Sequence, residues 1–232
     1  MLKINWKEID SDTITGLIIS ELPPISKPKM KTTITKIDGR DGDIIEELGY
    51  ESYTKSIKVG LSKNYDIDQV IKYFTGSGNL IMSNEPDKVY TGRIIEKIDY
   101  NKLLRFKTAT VKFYIQPYKY KKDEPKVILT INDETSLNVN NIGLEKSKPI
   151  IKLTGSGTVA IRLNNATVFN YTFPENESEV IIDSIEEEAY LNGMYKNRNM
   201  SGVFPILEVG ENIISWTGNL TKIEIEPKSR WL

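Results

Sequence analysis

Ser56-Ile57-Lys58-Val59-Gly60-Leu61 sets the fold class. Ile57, Val59 and Leu61 alternate with Ser56, Lys58 and Gly60, the period of two that turns one strand face to a core and the other to water. Residues 108–115 repeat the pattern, with Val111, Phe113 and Ile115 set against Thr110, Lys112 and Tyr114. Gln116-Pro117 is expected to stop that strand, because proline offers no N–H to a ladder. Upstream, Thr32-Thr33-Ile34-Thr35-Lys36-Ile37 is rich in β-branched side chains, which suit a pleated surface. Asp38-Gly39-Arg40-Asp41-Gly42-Asp43 follows with two Asp-Gly pairs, suited to the positive φ of hairpin turns.

One helix interrupts the strands. Ile67, Val70, Ile71 and Phe74 fall on one helical face. Asp66 is placed as its N-cap, with Gln69 at capping-box spacing, and Gly76 and Gly78 end it. Leu80-Ile81-Met82 resumes as strand, Asn84-Glu85-Pro86-Asp87 reads as a turn, and 90–95 as another strand. Beyond Pro117 the segment 118–125 is polar, and a domain boundary is placed there. This gives domains 1–122 and 123–232. In the second, strands are expected at 149–153, 158–163, 180–183 and 222–226. Turn signals separate them, at Gly155-Ser156-Gly157, Asn164-Asn165, Pro174-Glu175-Asn176 and Gly218-Asn219. Short strands at this spacing imply a sandwich or jelly roll. Thr-Gly-Ser-Gly at 75 and 154 follows a helix once and a strand once, so it is no internal repeat.

Composition narrows the chemistry. The 232 residues suffice for one large all-β domain or two small ones. Thirty-one basic against 32 acidic residues give a net charge of -1, without the basic field that nucleic acid needs. Lys119, Lys121 and Lys122 are the densest basic cluster, but Asp123 and Glu124 follow, so a solvated connection is expected. The chain has no cysteine and no histidine. That removes disulfides, thiolate nucleophiles, zinc–cysteine sites and the commonest general base. No basic n-region leads into an apolar core near the N-terminus, and no run of about 18 apolar residues occurs. A soluble protein made in a cytoplasm, with no membrane insertion, is expected.

The remaining motifs favour structure over catalysis. Gly155-x-Gly157-x-x-Ala160 matches a dinucleotide pattern, but the alternation of Val159, Ile161 and Leu163 continues as strand, where a pyrophosphate needs a helix N-terminus. Asp38, Asp41 and Asp43 lack the ligand spacing of a calcium loop. Glu186-Glu187-Glu188 reads as a solvated turn, since a glycosidase needs carboxylates on opposite sides of a cleft. Trp216 and Tyr190, with Trp231 and Tyr195, are candidates for stacking on sugars, although such rings more often fill a sandwich core or an interface. No catalytic, metal or cofactor residue is assigned, and no cofactor is expected.

The ordered string of short motifs resembles the distal tail proteins (Dit) of long-tailed, non-contractile phages and prophages of Gram-positive bacteria, over essentially the whole chain. The first half contributes the 38–43 stretch, the helix ending at Phe74, Gly78-Asn79-Leu80-Ile81-Met82-Ser83-Asn84-Glu85-Pro86-Asp87-Lys88-Val89-Tyr90, and Val111-Lys112-Phe113-Tyr114-Ile115-Gln116-Pro117-Tyr118-Lys119-Tyr120. The second contributes Asn141-Ile142-Gly143, Lys148-Pro149-Ile150-Ile151, Ile182-Asp183-Ser184, Gly202-Val203-Phe204-Pro205, Gly210-Glu211-Asn212-Ile213-Ile214 and Ile225-Glu226-Pro227-Lys228-Ser229-Arg230-Trp231. Tyr73-Phe74 departs from the Trp-Leu pair associated with the helix end. The resemblance implies a mainly β chain, with an N-terminal split β-barrel carrying one α-helix and a C-terminal galectin-like sandwich similar to a carbohydrate-binding module. It implies a hexameric, non-enzymatic ring at the virion tail tip, between the major tail-tube protein and the tail-associated lysin or tail fibre hub. Receptor-binding proteins are further partners on the C-terminal domain. A host-surface carbohydrate-binding module, built on Trp216 and Tyr190, is the alternative expectation.

Overall fold

The structure, a computed structural model, describes residues 2–232. Two compact units are present, one ending at Lys122 and one spanning Asp123–Trp231.

The first unit comprises β1 (Ile4–Trp6), β2 (Ile9–Asp10), β3 (Leu17–Glu21), β4 (Met30–Thr35), β5 (Ile44–Tyr50), β6 (Tyr53–Leu61), α1 (Ile67–Tyr73), β7 (Ser77–Met82), β8 (Glu85–Arg93), α2 (Tyr100–Phe106) and β9 (Thr108–Lys121). Its main sheet is antiparallel, in the order β2-β1-β7-β8-β9-β6-β3. The sheet curls. Trp6 on β1 and Phe113 on β9 are three strands apart, about 14 Å in a flat sheet, yet their rings meet edge-on at 5.0 Å. Phe74 at the end of α1 closes the same core, 6.4 Å from Phe113.

α1 forms as the sequence predicts. The Asp66 carboxylate accepts from the N–H of Asp68 at 3.0 Å and of Gln69 at 3.1 Å, satisfying two orphan donors of the first turn. Gln69 does not close a capping box; its side-chain oxygen accepts from the Thr15 N–H. Val70, Tyr73 and Phe74 are buried, while Ile71 is turned outward. The expectation of a single helix is corrected by α2. Asp99 caps it through the Lys102 N–H at 2.9 Å, Lys107 ends it at φ 56°, and Leu103 is buried. Two turns with one buried leucine are too short to show a helical period.

Two further expectations change at β8 and β9. β9 runs through Pro117 to Lys121. Pairing with β6 ends at Tyr53–Ile115, and the β8 register shifts between Tyr90 and Gly92, so the missing N–H of Pro117 falls in an interruption of both ladders. β8 begins at Glu85, inside the segment expected to be a turn.

The second unit comprises β10 (Val127–Thr130), β11 (Ser136–Asn141), β12 (Ile150–Leu163), β13 (Ala166–Thr172), β14 (Glu179–Asp183), β15 (Glu188–Leu191), β16 (Met194–Tyr195), β17 (Met200–Gly202) and β18 (Gly210–Glu226). The two long strands, β12 and β18, each serve two layers. Their halves at 150–154 and 222–226 lie in the order β10-β18-β12-β14-β15-β16. Their other halves pair with β11 and with β13, which in turn pairs with β17. The result is a β-sandwich whose corner is bent rather than turned. Gly155-Ser156-Gly157 and Gly218, expected as turns between separate strands, are bends within continuous ones. A Cβ on Gly155 would stand 2.4 Å from the Asn219 carbonyl oxygen, and one on Gly218, at φ +98°, 2.4 Å from that of Thr158. Only glycine lets the two bends nest this closely. Val159, Ile161, Phe169, Tyr171, Ile182, Ile214, Ile223 and Ile225 fill the core.

Candidate assembly surface

β4 and β5 form a two-stranded sheet of their own, with no strand partner in the main sheet. The turn chemistry is as the sequence predicts. Gly39 and Gly42 both take φ +78°, and the Arg40 N–H donates to the Ile37 carbonyl across a tight turn. The register pairs Ile34 with Ile45 and Thr32 with Glu47 on one face. Thr35 opposes Ile44 and Thr33 opposes Glu46 on the other face, which Leu48 shares by alternation. Ile34, Ile37, Ile44, Ile45 and Leu48 are all exposed, Ile45 to 61%. An isolated two-stranded hairpin is marginal in water, and contiguous exposed aliphatic residues mark a surface that something covers.

The root of this arm is fixed by the main sheet. The Lys55 ammonium donates to the Pro24 carbonyl at 3.0 Å, and the Asn84 side-chain amide donates to the Pro23 carbonyl at 3.0 Å. On the return strand the Glu51 N–H donates to the Lys29 carbonyl, and Tyr50 meets Tyr118 edge-on at 6.0 Å.

Lys55 belongs to a buried charged cluster. It is 2% exposed and Lys119 is 5% exposed. Glu85 joins Lys119 at 2.6 Å and accepts a short hydrogen bond from the Tyr90 hydroxyl. Both ammoniums also lie over the Tyr90 ring, Lys55 at 5.2 Å and Lys119 at 5.7 Å from its centroid. One carboxylate thus faces two cations. Burial, opposed by Glu85 and assisted by the like charge of Lys119, lowers the Lys55 pKa. Burial followed by the Glu85 charge pushes the Tyr53 hydroxyl up to about 12. Lys119 was expected in solvent and Glu85 in a turn; both are interior. Lys55 was legible in principle, since it continues the inward face of Ile57, Val59 and Leu61 by two residues.

The residues considered for sugar stacking are dispersed in the second unit. Trp216 is 8% exposed and packs in the sandwich core. Tyr190 is half-buried on β15, and Tyr195 is exposed opposite it on β16. Of the glutamate run, Glu186 and Glu187 lie in the β14–β15 turn and Glu188 opens β15 opposite Asp183, with Glu187 2.8 Å from the Lys148 ammonium. Among the described residues no cluster of three or more carboxylates could hold a metal ion, and no helix is long and apolar enough to cross a membrane.

In fold the chain is similar to the Dit protein of phage SPP1, a hub adsorption protein of Gram-positive-infecting phages. The TM-score is 0.73, identity is 18%, and 100% of each chain is covered. The fold is that of a phage Dit protein. A chain of the phage P2 baseplate in its calcium-activated conformation is similar too, with a TM-score of 0.52 and 10% identity, over 97% of this chain and 96% of that one. By sequence the chain matches no protein-family model and no curated protein. The resemblance in the residue string is therefore borne out as a Dit-like fold of two β units.

Proposed function

We propose that the chain is a structural subunit of a phage tail tip, a hub at the distal end of the tail tube and not an enzyme. The β4–β5 arm carries this reading: both its faces expose large aliphatic side chains, and its root is clamped to a rigid sheet. A surface of that kind suits a head-to-tail contact repeated between copies, which closes into a ring when the rotation permits. The full-length likeness to SPP1 Dit, a hub adsorption protein, supports the hub role, and six copies is the ring size that the family resemblance implies. In this proposal the unit ending at Lys122 forms the ring. The galectin-like sandwich, 123–232, faces outward and receives receptor-binding proteins. The major tail-tube protein lies on one side of the ring, and the tail-associated lysin or fibre hub on the other. The virion tail tip is the location of such a subunit.

The test is the mass of the purified chain by light scattering, with negative-stain electron microscopy. Particles of six times 26.4 kDa with a central channel are expected. A double Ile34→Ser, Ile45→Ser variant should keep its melting temperature and lose the ring. A monomer at every concentration, alone and with the tube protein, overturns the proposal.

A further inference from the structure

The C-terminal end of α2 in the first unit is an exposed patch that joins aromatic rings to cations. Phe106 is 59% exposed, and Tyr65 is exposed too. The Arg105 guanidinium lies over the Phe106 ring, 5.1 Å from its centroid, and the Lys107 ammonium lies over the Tyr65 ring at 4.1 Å. The pairing of β6 with β9 brings the two aromatic–cation pairs together, because the Lys107 carbonyl accepts from the N–H of Leu61, four residues before Tyr65. Lys102, one helical turn before Phe106, is exposed on the same stripe. The neighbouring carboxylates are engaged: Asp66 and Asp99 cap α1 and α2, and Glu96 pairs with Lys112 at 2.8 Å. The patch thus presents positive charge around apolar surface.

The tip and return strand of the β4–β5 arm carry the reverse arrangement. Residues 38–47 hold five carboxylates and one cation, a net charge of -4, and all ten are exposed. Alternation puts Asp43, Ile45 and Glu47 on one face, an aliphatic chain between two carboxylates, with Ile34 opposite Ile45. Ile45 and Phe106 are both exposed in the same chain, so the arm does not lie on its own patch.

We propose that the arm of one copy docks on the α2 patch of the next. Ile34 and Ile45 cover Phe106, while Asp43 and Glu47 meet Lys102 and Arg105. This rests on the ring proposed above and names the face that receives the arm. Each copy has one arm and one patch, so the contact is head-to-tail, as closure of a ring requires. The six residues of β4 give the arm a reach of about 20 Å. Nucleic acid or another polyanion would suit the cations of the patch but offers no aliphatic chains to Phe106; the arm supplies both.

The experiment uses the full chain in about 0.1 M salt, where charges within about 10 Å still act on one another. The tube protein is added if the wild type needs it to close. One variant reverses the arm, Asp43→Lys with Glu47→Lys, and another reverses the patch, Lys102→Glu with Arg105→Glu. All four positions are exposed, so both variants should melt within a few degrees of the wild type. Each alone sets like charges across the contact and should lose the ring in light scattering. Mixed in equal amounts, the two variants restore opposite charges wherever copies alternate. Native mass spectrometry should then find rings with three of each kind. If a reversed variant unfolds, the neutral pair Lys102→Gln, Arg105→Gln replaces it and should raise the concentration for half-assembly at least about tenfold. A folded variant that keeps the ring by itself, or a mixture that stays monomeric, overturns the inference and leaves the ring standing. A wild type that is monomeric under every condition overturns the ring and this contact together.

Discussion

Glu85 sets the electrostatic balance of the first unit's interior, because it pairs with Lys119 and its charge also acts on Lys55. Removing its charge leaves two buried ammoniums facing each other, whereas removing Lys55 leaves the Glu85–Lys119 pair neutral. Breaking a buried pair costs about 3–5 kcal/mol because an uncompensated charge stays buried, and removing Lys55 leaves no such charge behind. Glu85→Gln is therefore expected to destabilise by about 3 kcal/mol in urea unfolding, and Lys55→Met by much less. The reverse order would show that Lys55 holds the arm root more strongly than its charge burdens the core. The lowered Lys55 pKa has a definite sign: the unfolded chain binds more protons, so the cost of burying this ammonium is relieved as pH rises through the folded value toward the unfolded one. Asp87 works in the opposite sense. Lys88 and Lys121 oppose each other across β8–β9, and Asp87 bridges them at 2.7 and 3.1 Å. Its hydrogen bonds to Lys88 and Lys121 bring its pKa down to about 2. The stabilisation is thus full above the unfolded carboxylate value of about 4 and fades as pH falls through about 2. Asp87→Asn should cost under about 1 kcal/mol at neutral pH, as exposed pairs do. The cost should vanish near pH 2, which urea melts at both pH values would read.

At the scale of elements, the sandwich corner and the arm obey different constraints. Gly218 combines a positive φ with a carbonyl where a Cβ would stand, while Gly157 has φ +65° but open space around it. Gly218→Ala should therefore cost distinctly more than Gly157→Ala. The conformational penalty of an unfavourable φ is about 1–3 kcal/mol, and the clash at Gly218 adds to it. Denaturation of the chain followed by tryptophan fluorescence measures both, and equal costs would mean that the bends of β12 and β18 do not nest as described. The arm was readable from its sequence: β-branched residues, then two Asp-Gly pairs, then Ile44 and Ile45. Its exposure was not, because alternation shows which residues share a face and not whether anything covers that face. The same limit hid the continuity of β12. Gly155-Ser156-Gly157 looks alike as a turn or a bend, and only the presence of β18 alongside makes it a bend.

Across the whole molecule, each unit has its own buried core, one around Trp6, Phe74 and Phe113 and the other around Ile161, Phe169, Tyr171 and Ile223. Residues 123–231 expressed alone should then give a cooperative thermal transition and dispersed amide resonances; a broad, non-cooperative melt would show that this core is insufficient. Local order in the chain determined the fold class, the capped helix at 67–73, the positive-φ turns of the arm and the absence of histidine and cysteine chemistry. These follow from side-chain periodicity and backbone preference, which act within a few residues. Tertiary structure alone decided that Lys55, Glu85 and Lys119 meet, that β9 passes through Pro117, and that Trp216 is core. Each of those depends on strands far apart in sequence being brought side by side. Pairing and burial energies are properties of both partners, and no single stretch of chain carries them.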